Sequence, residues 1–267
     1  MRPILFQWGD FFVPSYTFMI TFASLAATWV AYKFAQRRGL NPIYILDLAI
    51  ISIIAGFLGA RMAHVVMERP DYYLENPIRF FYFWQGGLAS YGDYVAIIFA
   101  CFFYLKWRKL PILNYMDIVA LGFPVAIFFG RTGCLLGGCC FGKPTDFFIH
   151  LTFHNPGATA YSIHPDISLH ATQIYLMAHQ VIVWLSLFYV YCKRWRFQGQ
   201  LFFLMVLLYS VGRFLIEYFR GDDDRGLFFG GYFSSAQLFM IGFFVLGLWG
   251  YHYFKKKSYL PPEKVVP

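Results

Sequence analysis

Charged residues are scarce in this sequence: Asp, Glu, Lys and Arg make up 13% of its 267 residues, against about 25% in soluble domains. No stretch is long and polar enough for a separate soluble domain, and we find no internal repeat or low-complexity tract. A cleavable signal pattern is also missing, because Asp10 and Pro14 interrupt the first apolar residues. Apolar and aromatic residues make up 59%, more than a soluble core of this size can bury. The sequence therefore indicates an integral membrane protein.

Seven apolar segments approach the roughly 20 residues that a membrane-spanning helix needs. The fourth of them is the shortest. We expect an all-α integral membrane fold, with residues 1–254 as one seven-helix domain and residues 255–267 as a basic cytoplasmic tail. The segments are Ser15–Tyr32, Ile43–Val66, Trp84–Leu105, Tyr115–Gly130, Leu169–Cys192, Leu201–Phe219 and Phe233–Phe254.

Basic residues are unevenly distributed between the two sides of these segments. Alternate loops and the C-terminal tail, starting at Lys33, hold 13 of the 22 Lys and Arg residues with only three acidic ones. The positive-inside rule places this set in the cytoplasm, so the N-terminus is expected outside and the C-terminus inside. The formal charge of +8 fits an anionic membrane better than nucleic acid, and no nucleic-acid partner is expected.

With this orientation, polar residues from all seven segments share one depth in the outer half of the bilayer. Ionisable groups inside a membrane are costly and usually face a cavity or a partner. The arginines of the set, with Arg220 nearby, could clamp a phosphate, as in a lipid headgroup. The alternative is that Arg213 and Glu217, four residues apart on one helix face, only neutralise each other. The set is Tyr16, Arg61, Tyr91, Asp93, Arg131, His170, Gln173, Arg213, Glu217 and Gln237.

Glycines mark the same places, with Gly86 and Gly87 before the third segment and Gly130 and Gly133 around Arg131. Glycine permits positive φ angles and a close approach of backbone to ligand. Helix capping or helix packing is the alternative. His170 starts the fifth segment, where a histidine can be a cap, an interface residue or part of a site, and the sequence does not decide between them.

Three cysteines, Cys134, Cys139 and Cys140, cluster on the expected outer face. They could form a disulfide, act as redox thiols, or bind a metal with His150 or His154. The C-x4-C-C spacing matches no zinc knuckle. We therefore expect a disulfide or a packing role for these cysteines rather than a metal site.

Four motifs in order give the chain a resemblance to the prolipoprotein diacylglyceryl transferase family. They are Gly86–Gly92 (GGLASYG), Gly130–Cys134 (GRTGC), His170–Tyr175 (HATQIY) and Gly212–Gly221 (GRFLIEYFRG). The resemblance implies a multi-pass protein of the bacterial cytoplasmic (inner) membrane whose active site faces the outer leaflet. It implies transfer of the diacylglyceryl group of phosphatidylglycerol to the lipobox cysteine of prolipoprotein precursors, with release of glycerol-1-phosphate. Other membrane lipids are expected partners, and no metal or organic cofactor is expected.

The resemblance also implies roles for individual residues. Arg131 resembles the essential arginine of the family signature and Arg213 the second one, followed by Glu217 and Arg220 as in the family. Tyr91 is the third catalytic candidate; we expect it to orient the ligand by hydrogen bonding, while the arginines promote thiolate formation. The remaining expected substrate-binding positions are Tyr16, Arg61, Gly86, Gly87, Gly133, His170, Gln173, Tyr209 and Gln237.

The sequence departs from the family pattern at Tyr91, at Asp93, which replaces the next glycine, at Cys134, and at Gly137–Thr145, which replaces the usual Asn-x-Glu ending. Tyr91 stands where the family commonly has histidine or tyrosine, and tyrosine accepts a proton less readily. Cys134 replaces a common asparagine, which leaves the base unassigned among Tyr91, His170, Glu217 and Asp93. Two other function classes stay open: a lipid or anion transporter that uses the same arginines, and a membrane thiol oxidoreductase built on the three outer cysteines.

Overall fold

A computed structural model of the chain describes residues 2–9, 11–82, 87, 90–221, 227–228 and 232–257. Helices dominate it. Helix α2 continues into a π-helical turn over His64–Glu68, and a 3-10 turn covers Pro77–Phe81. The helices are α1 (Ser15–Arg37), α2 (Ile43–Ala63), α3 (Pro70–Glu75), α4 (Ser90–Trp107), α5 (Ile112–Gly137), α6 (Thr159–Ile163), α7 (Thr172–Lys193), α8 (Gln200–Glu217) and α9 (Ser235–Lys257).

Six of these helices, α1, α2, α5, α7, α8 and α9, are long and apolar enough to cross a membrane. Their outer surfaces carry large apolar side chains in contact with the surroundings: Leu25, Trp29, Ile182 and Trp249 are each more than 60% exposed. Such surfaces suit hydrocarbon rather than water. A mostly helical membrane protein is thus confirmed. The third expected span corresponds to α4; residues 83–86 and 88–89 lie outside the described residues.

The expectation for the fourth segment was wrong, because α5 is the longest of the described helices and does not end at Gly130. Arg131 therefore lies inside α5. Gly133, in the part of α5 beyond Gly130, packs closely against Met19 and Tyr16 of α1, where a side chain would crowd the contact. Helix α5 ends at Gly137, and Gly138 caps it in the left-handed region at φ +71°, as is typical of helix C-termini.

Short antiparallel hairpins, which the all-α expectation missed, lie beside the helix ends. Strand β1 (Ile4–Trp8) pairs with β2 (Phe11–Pro14), β3 (His150–Thr152) with β4 (Ser168–His170), and β5 (Leu227–Phe228) with β6 (Phe233–Ser234). The starts predicted for the fifth and seventh segments were therefore wrong. Leu169 and Phe233 are strand residues, and their apolar character extended the helical pattern past the true boundary. Helix α8 also ends two residues earlier than predicted, at Glu217.

Helix α5 forms the centre of the hydrophobic core. Ile118 and Leu121 are fully buried and pack among residues of α1, α7 and α8. Asp117, on the same helix, accepts the backbone N–H groups of Gly199 at 2.7 Å and Phe202 at 2.9 Å. These N–H groups at the start of α8 have no partner within their own helix, and a carboxylate is favourable there. Asp117 thereby fixes the position of α8 against α5.

Candidate active site

The ends of α5 and α8 are joined through the loops that follow them. Gly142 and Arg220 form an antiparallel bridge. The Lys143 N–H donates to the Phe219 carbonyl at 2.9 Å, and the Gly221 N–H donates to the Phe141 carbonyl at 3.1 Å. These backbone bonds hold the end of the helix that carries Arg131 next to the end of the helix that carries Arg213.

A buried ion network lies at the end of α8. Arg213 and Glu217, 4% and 2% exposed, form an ion pair through Glu217 Oε2. Arg220 Nη1 lies 3.7 Å from the same oxygen, and Ser234 Oγ donates to Glu217 Oε1 at 3.1 Å. Two guanidinium groups thus share one carboxylate. The neutralisation of Arg213 by Glu217 is present, and Arg220 leaves the trio with a net charge of +1.

Gln237 and Ser234 cap the start of α9. The Gln237 N–H donates to Ser234 Oγ at 3.2 Å, and the Ser234 N–H donates to Gln237 Oε1 at 3.0 Å. This reciprocal pair is a capping box. Gln237 Nε2 also donates to the Phe214 carbonyl at 3.4 Å. The capping box places Ser234 against Glu217, so α9 helps to hold the α8 ion network.

Arg131 has different surroundings from Arg213. Its Nη1 lies 3.9 Å from Cys134 Sγ, and in the described part of the chain no carboxylate oxygen lies within 4 Å of it. Tyr94 and Tyr209 interact electrostatically with the Arg131 guanidinium, and the two tyrosine hydroxyl groups are 2.9 Å apart. Tyr209 precedes Arg213 by one turn on the same face of α8. These tyrosines therefore connect the surroundings of the two arginines.

Asp93 is a half-buried acid in the first turn of α4. Its Oδ1 has no hydrogen-bond partner within the described residues, and Asp93 and Arg131 interact electrostatically. Sequence reasoning named it as a member of the polar set at this depth and as one of several possible bases. Two other predicted site residues of this region cannot be placed, because Gly86 and the side chain of Tyr91 lie outside the described residues.

The three outer cysteines converge on one point. Their sulfur atoms all lie within 4.8 Å of one another, and all three are free thiols without a disulfide. Gln173 Nε2 donates to the Cys139 carbonyl at 2.8 Å, and Thr172 Oγ1 donates to the Cys140 carbonyl at 2.7 Å. The first two residues of α7 therefore hold the backbone of Cys139 and Cys140 in place.

Cys140 is the most acidic of the three thiols. Its pKa is lowered because Cys134 and Cys139 donate hydrogen bonds to its sulfur, and because Arg131 and Arg220 place positive charge nearby. A thiolate is stabilised by such donors and cations. The two neighbouring thiols and the two arginines therefore favour the thiolate form of Cys140.

Arg61 and Gly87 belong to a different environment. Arg61, 2% exposed, donates from Nε to the Phe80 carbonyl at 3.0 Å, and from Nη2 and Nη1 to the Arg79 and Gly87 carbonyls at 2.6 and 3.1 Å. Gly87 has φ +79°, and a side chain there would collide with His64 and Arg61. Arg61 thereby holds the 3-10 turn and Gly87 against the end of α2. In the described contacts, its guanidinium binds these backbone carbonyls.

His170 lies at the edge of the joined loops. Its ring packs against Phe219 with a centroid distance of 5.0 Å, and its Nδ1 lies 3.2 Å from the Tyr175 hydroxyl. Loss of hydration and the Lys143 charge lower the pKa of the imidazole. It is therefore a neutral ring at neutral pH, beside the α8 end rather than at the start of a helix.

The contacts above join most of the predicted site residues at one end of the helices. Sequence reasoning missed Tyr94 and Ser234; only Ser234 had a signal, the Ser-x-x-Gln pattern of a capping box. Tyr16 packs on Gly133 near the cysteines. The predicted residues that meet here are Tyr16, Arg131, Gly133, Gln173, Tyr209, Arg213, Glu217, Arg220 and Gln237.

A family model described as prolipoprotein diacylglyceryl transferase matches residues 3–253. The chain belongs to the prolipoprotein diacylglyceryl transferase family. Two relatives named phosphatidylglycerol–prolipoprotein diacylglyceryl transferase are each 32% identical to it over 250 residues. The one from Clostridium tetani covers 93% of this chain and 98% of its own length, and the one from Symbiobacterium thermophilum covers 92% and 90%. A relative of the same name from Geobacter sulfurreducens is 28% identical over 248 residues, 92% of each chain. The family resemblance expected from the four motifs is confirmed.

Proposed function

We propose that this protein transfers the diacylglyceryl group of phosphatidylglycerol to the lipobox cysteine of prolipoproteins and releases glycerol-1-phosphate. The relatives are named for this activity and match nearly the whole chain. One structural observation carries the proposal. Arg131 lies in a helix among apolar residues with a thiol as its described hydrogen-bond partner, so its guanidinium can bind a phosphate oxygen bidentately.

The charges at this end of the molecule suit the reaction. The thiolate sulfur attacks the carbon of the diacylglyceryl group that is bonded to the phosphate oxygen. The bond between this carbon and the oxygen breaks, and its electron pair goes to the departing glycerol-1-phosphate. Arg131 and the Arg213–Glu217–Arg220 trio, with its net charge of +1, stabilise that developing charge. Tyr91 orients the lipid by hydrogen bonding. The proposed substrate-binding residues are Tyr16, Arg61, Gly86, Gly87, Gly133, His170, Gln173, Tyr209, Glu217, Arg220 and Gln237.

We also propose the membrane arrangement that this chemistry needs. Helix α4 is the third of seven spans, residues 1–254 form one membrane domain in the bacterial inner membrane, and residues 255–267 form a cytoplasmic tail. The helix ends at Arg37, Lys106, Lys193 and Lys257 all carry positive charge, which favours the cytoplasmic side for them. The site then faces the outer leaflet, where lipids and secreted precursors meet.

Incubation of the purified protein with phosphatidylglycerol vesicles and a lipobox peptide tests the activity. We expect the peptide cysteine to gain the mass of a diacylglyceryl group, and Arg131→Ala to lose this gain. Arg37→Ala, an exposed arginine at the opposite end of α1, is the matched control and should keep it. An unmodified peptide with lipid movement between leaflets would favour the transporter, and a peptide disulfide would favour the oxidoreductase.

A further inference from the structure

Backbone geometry, rather than sequence spacing, brings the three outer sulfur atoms together. Gly138 at φ +71° and Cys140 at φ +58° both adopt the left-handed conformation, which folds the chain back over the end of α5. A non-glycine residue in this region costs about 1–2 kcal/mol. Such strain persists when surrounding contacts hold it, and it clusters at ligand-binding sites. Here Thr172 and Gln173 hold the carbonyls of the turn.

The cluster has the dimensions of a three-thiolate metal site. Zinc–sulfur bonds of 2.3 Å in a tetrahedron separate the sulfur atoms by about 3.8 Å. The observed separations are at most 4.8 Å, so a contraction of about 1 Å or less around an ion suffices. The described residues contain no other group of three cysteine, histidine or acidic side chains placed in this way.

A second observation points to a ligand at this place. Gln173 is 1% exposed, and its Oε1 has no hydrogen-bond partner within the described residues, although its Nε2 is fixed on the Cys139 carbonyl. A buried amide oxygen without a partner is costly. An ion, or a molecule bound to that ion, would supply the missing interaction.

Charge compensation favours a divalent ion. Zn²⁺ with three thiolates carries a net charge of −1, which Arg131 can balance, since its Nη1 lies 3.9 Å from Cys134 Sγ. Thiolates select zinc or monovalent copper over harder ions. Three protein ligands with one open position are the arrangement of catalytic zinc, whereas structural zinc has four.

We propose that Cys134, Cys139 and Cys140 bind Zn²⁺ and that its open fourth position takes the thiol of the acceptor cysteine. This site departs from the expectation that the protein uses no metal. The binding of the acceptor thiol at the open position rests on the proposed transferase function. It also answers which group activates the acceptor, because a thiol bound to zinc is deprotonated.

The step balances without a redox partner. The acceptor S–H releases its proton to solvent as its sulfur binds zinc. The sulfur lone pair then forms the bond to the glycerol carbon, the carbon–oxygen bond breaks, and its electrons leave with glycerol-1-phosphate. The thioether product is neutral and a weaker ligand than a thiolate, so it leaves the ion and the open position is restored.

Zinc binding is measured first and does not depend on transfer. The full chain in detergent, kept reduced by a phosphine and stripped with a chelator, is titrated with Zn²⁺ against a chromophoric chelator. We expect one equivalent to bind, and Cys139→Ser or Cys140→Ser to weaken binding by about 100-fold or more. Cys192→Ser, a cysteine in α7 outside the cluster, should bind like the wild type. Unchanged binding in the two cluster variants, or no binding in the wild type, would overturn the site.

Transfer is then compared between stripped and zinc-restored protein over a pH series. We expect zinc to restore the rate and to extend activity to lower pH, because the acceptor thiol then ionises at lower pH. Zinc binding with a zinc-independent rate would overturn the activation, as would restoration by Cu⁺ alone. If neither form transfers lipid, the proposed function fails, and the titration still decides whether the zinc site exists.

Discussion

Replacement of Arg131 and of Arg213 should distinguish a residue that binds only the substrate from one that also stabilises the fold. We expect Arg131→Ala to abolish transfer with little change in stability. We expect Arg213→Ala to lose transfer and to lower the stability as well. The reason is the difference in partners: Arg131 has a 3.9 Å contact with a sulfur atom, whereas Arg213 is ion-paired with a buried carboxylate.

The magnitudes follow from these contacts. Removal of one preorganised donor to a developing negative charge lowers the rate by about 100- to 1,000-fold. Removal of one partner of a buried ion pair costs about 3–5 kcal/mol. Arg220, at 3.7 Å from the same Glu217 oxygen, still compensates part of the charge, so we expect the lower end, about 3 kcal/mol. For a chain of this size that corresponds to a fall in Tm of about 6–12 °C.

Two assays on the same detergent preparations decide the matter: mass spectrometry of the lipobox peptide and thermal unfolding followed by circular dichroism. The double variant Arg213→Met with Glu217→Leu removes both charges of the pair and should recover part of the lost Tm without recovering transfer; recovery is partial because Arg220 then loses the carboxylate that it shares with Arg213. Arg131→Lys should restore little activity, since an ammonium group cannot bind two oxygens in a planar fork. Full activity in Arg131→Ala, or an equal fall in Tm for both single variants, would refute the reasoning.

Three further changes are predicted. Asp117→Ala leaves the first N–H groups of α8 without their acceptor and should lower the unfolding free energy by about 2–4 kcal/mol, whereas Asp117→Asn should lose less; thermal unfolding of both distinguishes this from a general packing defect, which would affect them equally. Ser234→Ala removes the cap of α9 and one hydrogen bond to Glu217, so we expect a loss of about 1 kcal/mol, and an unchanged Tm would contradict the capping box. Tyr91→Phe should slow transfer by about tenfold with the same pH profile, and Tyr91→His should be tolerated; an inactive Phe variant, together with a His variant whose rate follows an imidazole pKa, would make residue 91 the base.

The sequence was sufficient to locate the six helices that can cross a membrane but not their ends at the site. Hydropathy locates a helix that crosses the membrane because some 20 residues must all be apolar. It cannot distinguish Leu169 or Phe233 in a short strand from the first turn of a helix, since both environments bury apolar side chains. Gly130 and Gly133 looked like a helix end, but α5 continues to Gly137, and Gly133 serves the close contact with Met19 and Tyr16 of α1.

Some contacts in the site follow from local sequence spacing, and others depend on residues that are distant in the sequence. The Arg213–Glu217 pair follows from a spacing of four residues on one helix, and the Ser234–Gln237 box from a spacing of three. The convergence of the cysteines depends on left-handed residues at positions 138 and 140, which no spacing rule contains. The carbonyls around Arg61 come from residues about 20 positions away, so their arrangement required the structure.

The backbone bonds between the loops after α5 and α8 also limit how this chain can change length. A residue inserted anywhere in Phe141–Lys143 would shift the register with Phe219–Gly221 and displace both arginine-bearing helix ends together. A side chain at Gly221 would also collide with the Gly142 carbonyl, so the two loops are closely packed as well as paired. Length variation should instead concentrate a few residues further on, near the exposed Phe148, where the chain has left the paired segment. Natural insertions and engineered tags at this end of the molecule are therefore expected to be tolerated there and rejected at the paired loops.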